Sequence, residues 1–173
     1  MKKLGKLILF FTVLFYANSV LAQDKNNQWQ ISFGSTAVDF INEGENIVAN
    51  KRANVDSWNY NVGGLSAISL SRFANETYGY GVKGSFNVIT TMGDGSGTAV
   101  DQLLTSLDVF TVYNFGDSFS LGNVYPYLEG GTGFTWFGPQ KSLTFNGGAG
   151  IKIPFDEKVS LKINTTYKHA IND

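Results

Sequence analysis

The side chains that could carry out catalysis are few and isolated in this sequence. His169 is the only histidine among 173 residues, and the chain contains no cysteine. A hydrolytic site needs a nucleophile, a base and an orienting group held together, and the sequence offers no such partners for His169. The absence of cysteine excludes a disulfide scaffold, a CxxC redox site and a cysteine-ligated zinc site. We predict that the protein is not an enzyme and has no catalytic residue, no cofactor and no metal site.

Two glycine-rich stretches resemble ligand-binding motifs but lack features that those motifs require. Residues 79–84 fit GxGxxG, but a dinucleotide site needs a strand before this motif and a helix after it. Residues 93–97 lack both the later glutamate of a calcium loop and the lysine of a phosphate-binding loop. We expect the first stretch to lie inside a strand and the second to be a surface loop.

Five charged residues occupy polar positions in segments where polar and apolar residues alternate. Such alternation places the polar positions of a strand on one face. Charges enclosed in a tight interior must be paired. We therefore predict a structural ion network inside a barrel, and the alternative is a transport pathway through it. The residues are Lys83, Asp108, Glu129, Lys152 and Lys162.

The first 22 residues have the three parts of a secretory signal peptide. Lys2, Lys3 and Lys6 precede an apolar core at residues 7–16, and residues 20–22 provide a cleavage site after Ala22. The core is too short to span about 30 Å of hydrocarbon comfortably. We therefore predict a cleaved signal peptide at 1–22 rather than a membrane anchor, followed by one domain at 23–173.

Seven segments of the remaining chain alternate with a period of two, which is typical of β-strands. Long connections at 41–57 and 91–101 alternate with tight turns at 74–77 and 154–158. Antiparallel up-and-down hairpins of this kind indicate a transmembrane β-barrel. The segments are 29–40, 60–73, 78–88, 106–114, 127–136, 143–153 and 159–168.

Composition favours a membrane barrel over a soluble one. Charged residues make up 16% of the chain, against about 25% in typical soluble domains. One face of the predicted strands is apolar and the other is small and polar, whereas a soluble barrel would have its apolar face inside. The net charge of −1 gives no indication of a basic surface that would bind nucleic acid. Aromatic residues near the strand ends predict girdles at the two membrane interfaces, formed by Trp29, Tyr78, Tyr113, Tyr125, Trp136 and Tyr167.

Several segments carry a family resemblance. They are WQISFG at 29–34, AISLSRF at 67–73, PYLEGGTGFTW at 126–136, NGGAGI at 146–151 and TYKH at 166–169. Together they resemble the N-terminal barrel of OmpA-family outer membrane proteins, in the style of the Bacteroidetes branch, and PYLEGGTGFTW is the most specific. The resemblance covers residues 27–169. It implies an eight-stranded barrel in the cell outer membrane, inserted by the barrel assembly machinery and surrounded by outer membrane lipid.

The predicted strand count is odd, whereas single-chain bacterial barrels have an even number of strands. Unpaired strand edges are not tolerated in lipid. We therefore expect that the domain is C-terminally incomplete and lacks an eighth strand. The alternative is a further strand within 41–57, although that stretch alternates poorly.

The leading functional hypothesis is a structural outer membrane β-barrel protein of the OmpA-like type. Family members often continue into a peptidoglycan-binding domain, so the resemblance implies that a full-length form links the outer membrane to peptidoglycan. One alternative is a small passive pore or adhesion barrel whose loops, above all 41–57, bind a partner. Another is a soluble lipocalin-like ligand carrier. No nucleic-acid partner is expected.

Overall fold

The computed structural model describes residues 7–12, 28–41, 58–60, 64–91, 99–119, 121–156 and 159–171. Within these residues, no helix is long and apolar enough to cross a membrane. They form ten strands and a short 3-10 helix at Gly116–Phe119. The strands are β1 (Leu7–Thr12), β2 (Trp29–Gly34), β3 (Ala37–Ile41), β4 (Asn59–Tyr60), β5 (Ala67–Phe73), β6 (Tyr78–Thr91), β7 (Ala99–Asn114), β8 (Tyr125–Phe137), β9 (Gln140–Pro154) and β10 (Ser160–Ala170).

All ten strands belong to one sheet with the order β2-β5-β6-β7-β8-β9-β10-β1-β3-β4. Every pairing in this sheet is antiparallel. Seven of the strands, β2 and β5 to β10, form a curled half-barrel, and the curl brings Lys168 on β10 against Asp108 on β7. The predicted all-β, antiparallel, curled architecture is confirmed.

Strand β1 lies within the predicted signal peptide. It pairs with the second half of β10 on one side and with β3 on the other. Because β3 follows β2 after only Ser35 and Thr36, β1 and β3 connect the two margins of the half-barrel. Strand β1 therefore stands where an eighth barrel strand would lie. Cleavage after Ala22 stays a prediction.

Two of the seven predicted segments are interrupted. The segment 29–40 divides into β2, which pairs with β5, and β3, which pairs with β1 and β4. At the division, Thr36 N donates a hydrogen bond to Ser66 Oγ over 2.7 Å, so a side chain replaces a backbone partner. In the segment 60–73, Tyr60 ends β4, residues 64–66 lie outside any strand and Ala67–Phe73 forms β5, whereas residues 61–63 lie outside the described residues. Residues 42–57 lie outside the described residues. The alternative of a further strand in this stretch therefore stays a prediction.

Short turns join the hairpins on one side of the sheet. Asn75 Oδ1 accepts hydrogen bonds from the backbone N–H groups of Thr77 and Tyr78, an Asx turn between β5 and β6. Asp156 Oδ1 accepts from Val159 N at 2.7 Å before β10. On the other side, β8 and β9 are joined by Gly138 and Pro139, with Gly138 at a φ of 55°. A glycine at the first position of a two-residue hairpin loop suits a type II′ turn.

The side chains are distributed with polar groups inside and apolar groups outside. The fully buried side chains include Lys168, Gln30, Asn87, Thr144 and Ser32. Large apolar side chains instead cover the outer face, where Val109 is 60% exposed and Leu107 is 56% exposed. The strand alternation predicted these two faces, and the burial pattern of β5, for example, alternates strictly between buried and exposed.

The enclosed interior has three layers along the strands. An apolar cluster at the β8–β9 turn end contains Val38, Phe40, Ile89, Leu104 and Phe137. A second apolar cluster toward the β5–β6 turn contains Phe73, Phe110, Val112 and Tyr127. Strand β7 passes through both clusters and carries Asp108 between them. Charged side chains thus lie between two apolar layers.

Candidate functional site

The interior polar cluster is the concentration of charge between the two apolar layers. It consists of Lys83 on β6, Ser106 and Asp108 on β7, Glu129 on β8, Asn146 on β9 and Lys168 on β10. Each of these residues occupies one of the alternate positions of its strand that face the interior. The curl of the sheet then brings side chains from five strands together.

Lys168 and Asp108 form the most buried ion pair of the cluster. Lys168 Nζ lies 2.6 Å from both carboxylate oxygens of Asp108 and 3.0 Å from Ser106 Oγ. Asn146 Nδ2 donates to Asp108 Oδ1 at 2.9 Å. The exposed fractions of the two charged side chains are 2% and 6%. A buried ion pair needs such additional hydrogen bonds to offset the loss of hydration.

Lys83 and Glu129 form the second ion pair. Lys83 lies directly opposite Asp108 in the β6–β7 register, yet its ammonium bonds to Glu129, one strand further along the sheet. The ammonium also stands 5.1 Å from the centre of the Phe110 ring, within reach of a cation–π interaction. The ion pairs therefore connect strands that are not neighbours.

Glycines on β8 and β9 provide the space for these long side chains. A Cβ atom at Gly133 would overlap the carboxylate of Asp108, and one at Gly131 would overlap the backbone of Val109 and Phe110. A Cβ atom at Gly150 would lie 2.6 Å from the Tyr127 ring. The inward glycines are thus sites of close approach, as expected for a narrow barrel whose interior is filled by side chains.

The space left beside the ion pairs is small. A void of about 10 Å³ is lined by Lys83, Asp108, Glu129 and Lys168 together with their neighbours. A volume of this size holds about one water molecule. The two ion pairs are therefore closely packed against their neighbours.

Two further predicted interior lysines, Lys152 and Lys162, lie beyond the second apolar layer. They stand directly opposite each other on β9 and β10. Lys162 Nζ donates to Gln30 Oε1 at 2.9 Å and lies 5.8 Å and 5.7 Å from the ring centres of Phe73 and Tyr127. An amide oxygen and two aromatic faces thus contact this ammonium at the end of the interior.

A separate polar cluster, centred on Asn59, ties β4 to β3 and β6. Asn59 Nδ2 donates to the carbonyl oxygens of Val38 and Thr91, and Asn59 Oδ1 accepts from the backbone N–H groups of Thr90 and Thr91. Asn87 Nδ2 donates to the carbonyl oxygens of Thr36 and Asn59. One asparagine side chain therefore holds three chain segments together where regular strand pairing ends.

Sequence reasoning named five interior charges and omitted Lys168. The structure brings Lys83, Asp108 and Glu129 together and adds Lys168 as the partner of Asp108. The signal was available, because Lys168 has the same parity on its strand as Lys162. The Asn59 cluster was also missed, because Asn59 lies on a strand of only two residues, which is too short for alternation to reveal.

The remaining candidate residues are placed in ordinary strand positions. His169 is exposed and lies opposite Phe145 in the β9–β10 register. Residues 79–84 lie entirely within β6, so the GxGxxG match lacks the helix it would need. Residues 93–97 lie outside the described residues.

The outer face carries aromatic side chains near the β5–β6 turn. Tyr78 and Tyr113 contact each other edge-on at 5.1 Å, and Arg72 lies 5.6 Å from the Trp29 ring centre. All four side chains are exposed. Tyr125, which was also predicted to be a girdle residue on the apolar face, instead lies opposite Lys152 and is an even number of residues from buried Tyr127 on the same strand. Its side chain therefore belongs to the inner face.

Comparison with known proteins gives no relative: no family model matches the chain, and no curated protein or solved structure matches it significantly.

Proposed function

We propose that this protein is a structural β-barrel of the bacterial outer membrane, of the OmpA-like type, whose wall faces lipid and whose interior is closed by side chains. In a longer form it would link the membrane to peptidoglycan through a downstream domain. The resemblance of the strand motifs supports the family, and the side-chain distribution supports the membrane environment.

The observation that carries the proposal is the inverted polarity of the sheet. Lysine, glutamine and asparagine side chains are fully buried, whereas Ile68, Leu107 and Val109 are half or more exposed. Soluble proteins rarely expose contiguous apolar patches larger than a few hundred Å². A lipid-facing wall removes this cost, because hydrocarbon takes the place of water around the apolar side chains.

The packed interior favours a structural role over a passive pore. Two apolar layers enclose two buried ion pairs, and the void beside these pairs has room for about one water molecule. A soluble carrier would need an apolar cavity inside the barrel. The side chains that fill the described interior are largely polar, which disfavours that alternative.

One substitution separates a lipid-facing wall from a water-facing one. Val109→Arg places a charge in the middle of the exposed face of β7. On the lipid face of a barrel this change costs about 2–4 kcal/mol at the bilayer midplane, whereas on a soluble surface it is nearly neutral. Leu121→Arg is the matched control, because Leu121 is 81% exposed in the connection between β7 and β8.

The measurement is insertion into phosphatidylcholine vesicles, followed by vesicle flotation and by the shift in gel migration on boiling. We expect the wild type and Leu121→Arg to float with the vesicles and to shift on boiling, and Val109→Arg to do so much less. A wild type that remained in the aqueous phase, or a Val109→Arg variant that inserted like the wild type, would contradict the proposal.

A further inference from the structure

An exposed arginine, Arg72, lies among aromatic side chains on the outer wall. In the strand register it is directly opposite Trp29 on β2 and directly opposite Tyr80 on β6. Trp29 and Tyr80 are each about half exposed, so the three side chains form a row on the surface that we propose to face lipid. A charge on such a wall is costly unless a partner offsets it.

Two contacts position the guanidinium group of Arg72. Its Cζ atom lies 5.6 Å from the centre of the Trp29 ring, within reach of a cation–π interaction. Arg72 Nε and Nη2 both donate to Gln28 Oε1, over 3.2 Å and 3.0 Å. An aromatic ring and an amide oxygen therefore hold the charged group, and neither of them carries a negative charge.

The other edge of the guanidinium has no acceptor. An arginine carries five N–H donors in a planar fork, and Gln28 accepts from two of them. Among the residues that the structure describes, nothing accepts from Nη1, and no carboxylate forms an ion pair with Arg72. The remaining edge presents parallel N–H groups on Nη1 and Nη2, which is the geometry that binds a phosphate through two hydrogen bonds.

Arg72 lies at the level where lipid headgroups are expected. It is the last residue but one of β5, beside the short turn at 74–77, and Trp29 is the first residue of β2. Tyr78 begins β6 at the same level and contacts Tyr113 edge-on. Aromatic side chains are enriched at the headgroup level. Short turns lie on the periplasmic side of bacterial barrels, so the lipid beside Arg72 belongs to the periplasmic leaflet.

We propose that Arg72 binds the phosphate group of a phospholipid in the periplasmic leaflet. The proposal rests on the membrane location proposed above and deepens it, because it assigns one headgroup to a defined position on the wall. Charge complementarity identifies the occupant: the guanidinium supplies a positive charge and two N–H donors, and the phosphate supplies a negative charge and two acceptor oxygens. Trp29 and Tyr80 offer amphipathic rings on either side, which suit the boundary between a headgroup and its acyl chains.

The test removes the charge without disturbing the interior. Arg72→Gln leaves a polar side chain at an exposed position. Arg72→Lys keeps the charge but replaces the planar fork by a single ammonium group. Lys141→Gln is the matched control, because it removes another exposed cation, on β9 beside the β8–β9 turn at the opposite end of the sheet.

The full chain and these variants are first tested for insertion into phosphatidylcholine vesicles and are then studied in a maltoside detergent, which contains no phosphate. Each is titrated with phosphatidic acid and with diacylglycerol of the same acyl chains, and bound lipid is counted by native mass spectrometry. We expect the wild type to bind phosphatidic acid more tightly than diacylglycerol. Arg72→Gln should bind phosphatidic acid about tenfold more weakly than the wild type. Arg72→Lys should also bind it more weakly, whereas Lys141→Gln should match the wild type.

The outcomes separate this site from the membrane proposal. If the wild type does not enter the vesicles, the membrane proposal fails and the phosphate site fails with it. If all variants insert but Arg72→Gln binds phosphatidic acid as the wild type does, only the phosphate site is overturned. Equal losses in Arg72→Gln and Lys141→Gln, or equal binding of the two lipids by the wild type, would overturn it as well. Binding by Arg72→Lys as tight as that of the wild type would overturn the two-hydrogen-bond geometry, and tighter binding of inorganic phosphate than of phosphatidic acid would overturn the lipid as the occupant.

Discussion

At the residue scale, the most buried charges in the interior of this protein lie in ion pairs, and further hydrogen bonds support the Lys168–Asp108 pair. Asp108 accepts hydrogen bonds from Lys168, Ser106 and Asn146, and Gly133 leaves the space in which its carboxylate lies. Removing one member of such a group leaves the others buried without compensation, which costs more than the group contributes when it is complete.

Asp108→Asn is therefore expected to destabilise the folded state strongly. It leaves the Lys168 ammonium buried without its counter-charge, a loss of about 3–5 kcal/mol. The free energy of unfolding would be measured by urea titration in lipid vesicles, followed by tryptophan fluorescence. The double variant Asp108→Asn with Lys168→Met should recover a large part of the loss, and a double variant as unstable as the single one would contradict the pairing.

Gly131→Ala tests the close approach of β8 to β7. The added Cβ would overlap the Val109 carbonyl oxygen and the Phe110 Cα, which are backbone atoms and cannot rotate away. Overpacking of this kind costs about 1–3 kcal/mol. Gly147→Ala should cost nothing measurable, since its Cβ position is open. The same urea titration compares the two, and equal stabilities would show that the sheet adjusts freely at Gly131.

At the element scale, the pairing of β1 with β3 and β10 decides whether the sheet has open margins. Six residues of β10, from Asn164 to His169, bond to β1 on one side and to β9 on the other. Five residues of β3 pair with β1 as well. An unpaired edge in lipid leaves backbone N–H and C=O groups unsatisfied, at a cost of several kcal/mol each.

Deleting residues 1–22, as signal cleavage would, is expected to open both of these margins. Backbone amides at 37–41 and 164–169 should then exchange hydrogen for deuterium faster than in the full chain. Amides in β7 and β8, which keep both of their neighbours, should exchange at unchanged rates and serve as the internal control. Unchanged exchange at the two margins would mean that β1 does not protect them.

At the scale of the whole molecule, the layered interior predicts that the barrel conducts poorly. The apolar cluster of Phe73, Phe110, Val112 and Tyr127 lies on one side of the ion pairs, and the cluster around Leu104 and Phe137 lies on the other. An ion crossing this interior would have to leave water for an apolar layer, which is strongly unfavourable.

Full-length protein in planar lipid bilayers should therefore show no large open-pore current. Phe110→Ala, which thins one apolar layer, should increase ion leakage, whereas Val109→Ala on the outer face of the same strand should not. A large steady current from the wild type would contradict the closed interior and favour the pore alternative.

The sequence by itself indicated most of the strands and the two faces of each, but not β1, which lies in the predicted signal peptide, nor β4. Inward and outward side chains alternate with a period of two whatever the neighbouring strand is, so the parities of Lys83, Asp108, Glu129, Lys152 and Lys162 could be read directly. It could not determine which charges meet, because Lys83 stands opposite Asp108 in the sheet but bonds to Glu129. Those partners depend on how tightly the sheet curls and on which glycines leave room.

Only the tertiary structure decided the division of the first predicted strand and the role of Asn59. Each depends on contacts between segments far apart in the chain. Thr36 bonds to Ser66, and Asn59 bonds to Thr90 and Thr91. Alternation is a local property of one strand, whereas these features require the register and curvature of the assembled sheet.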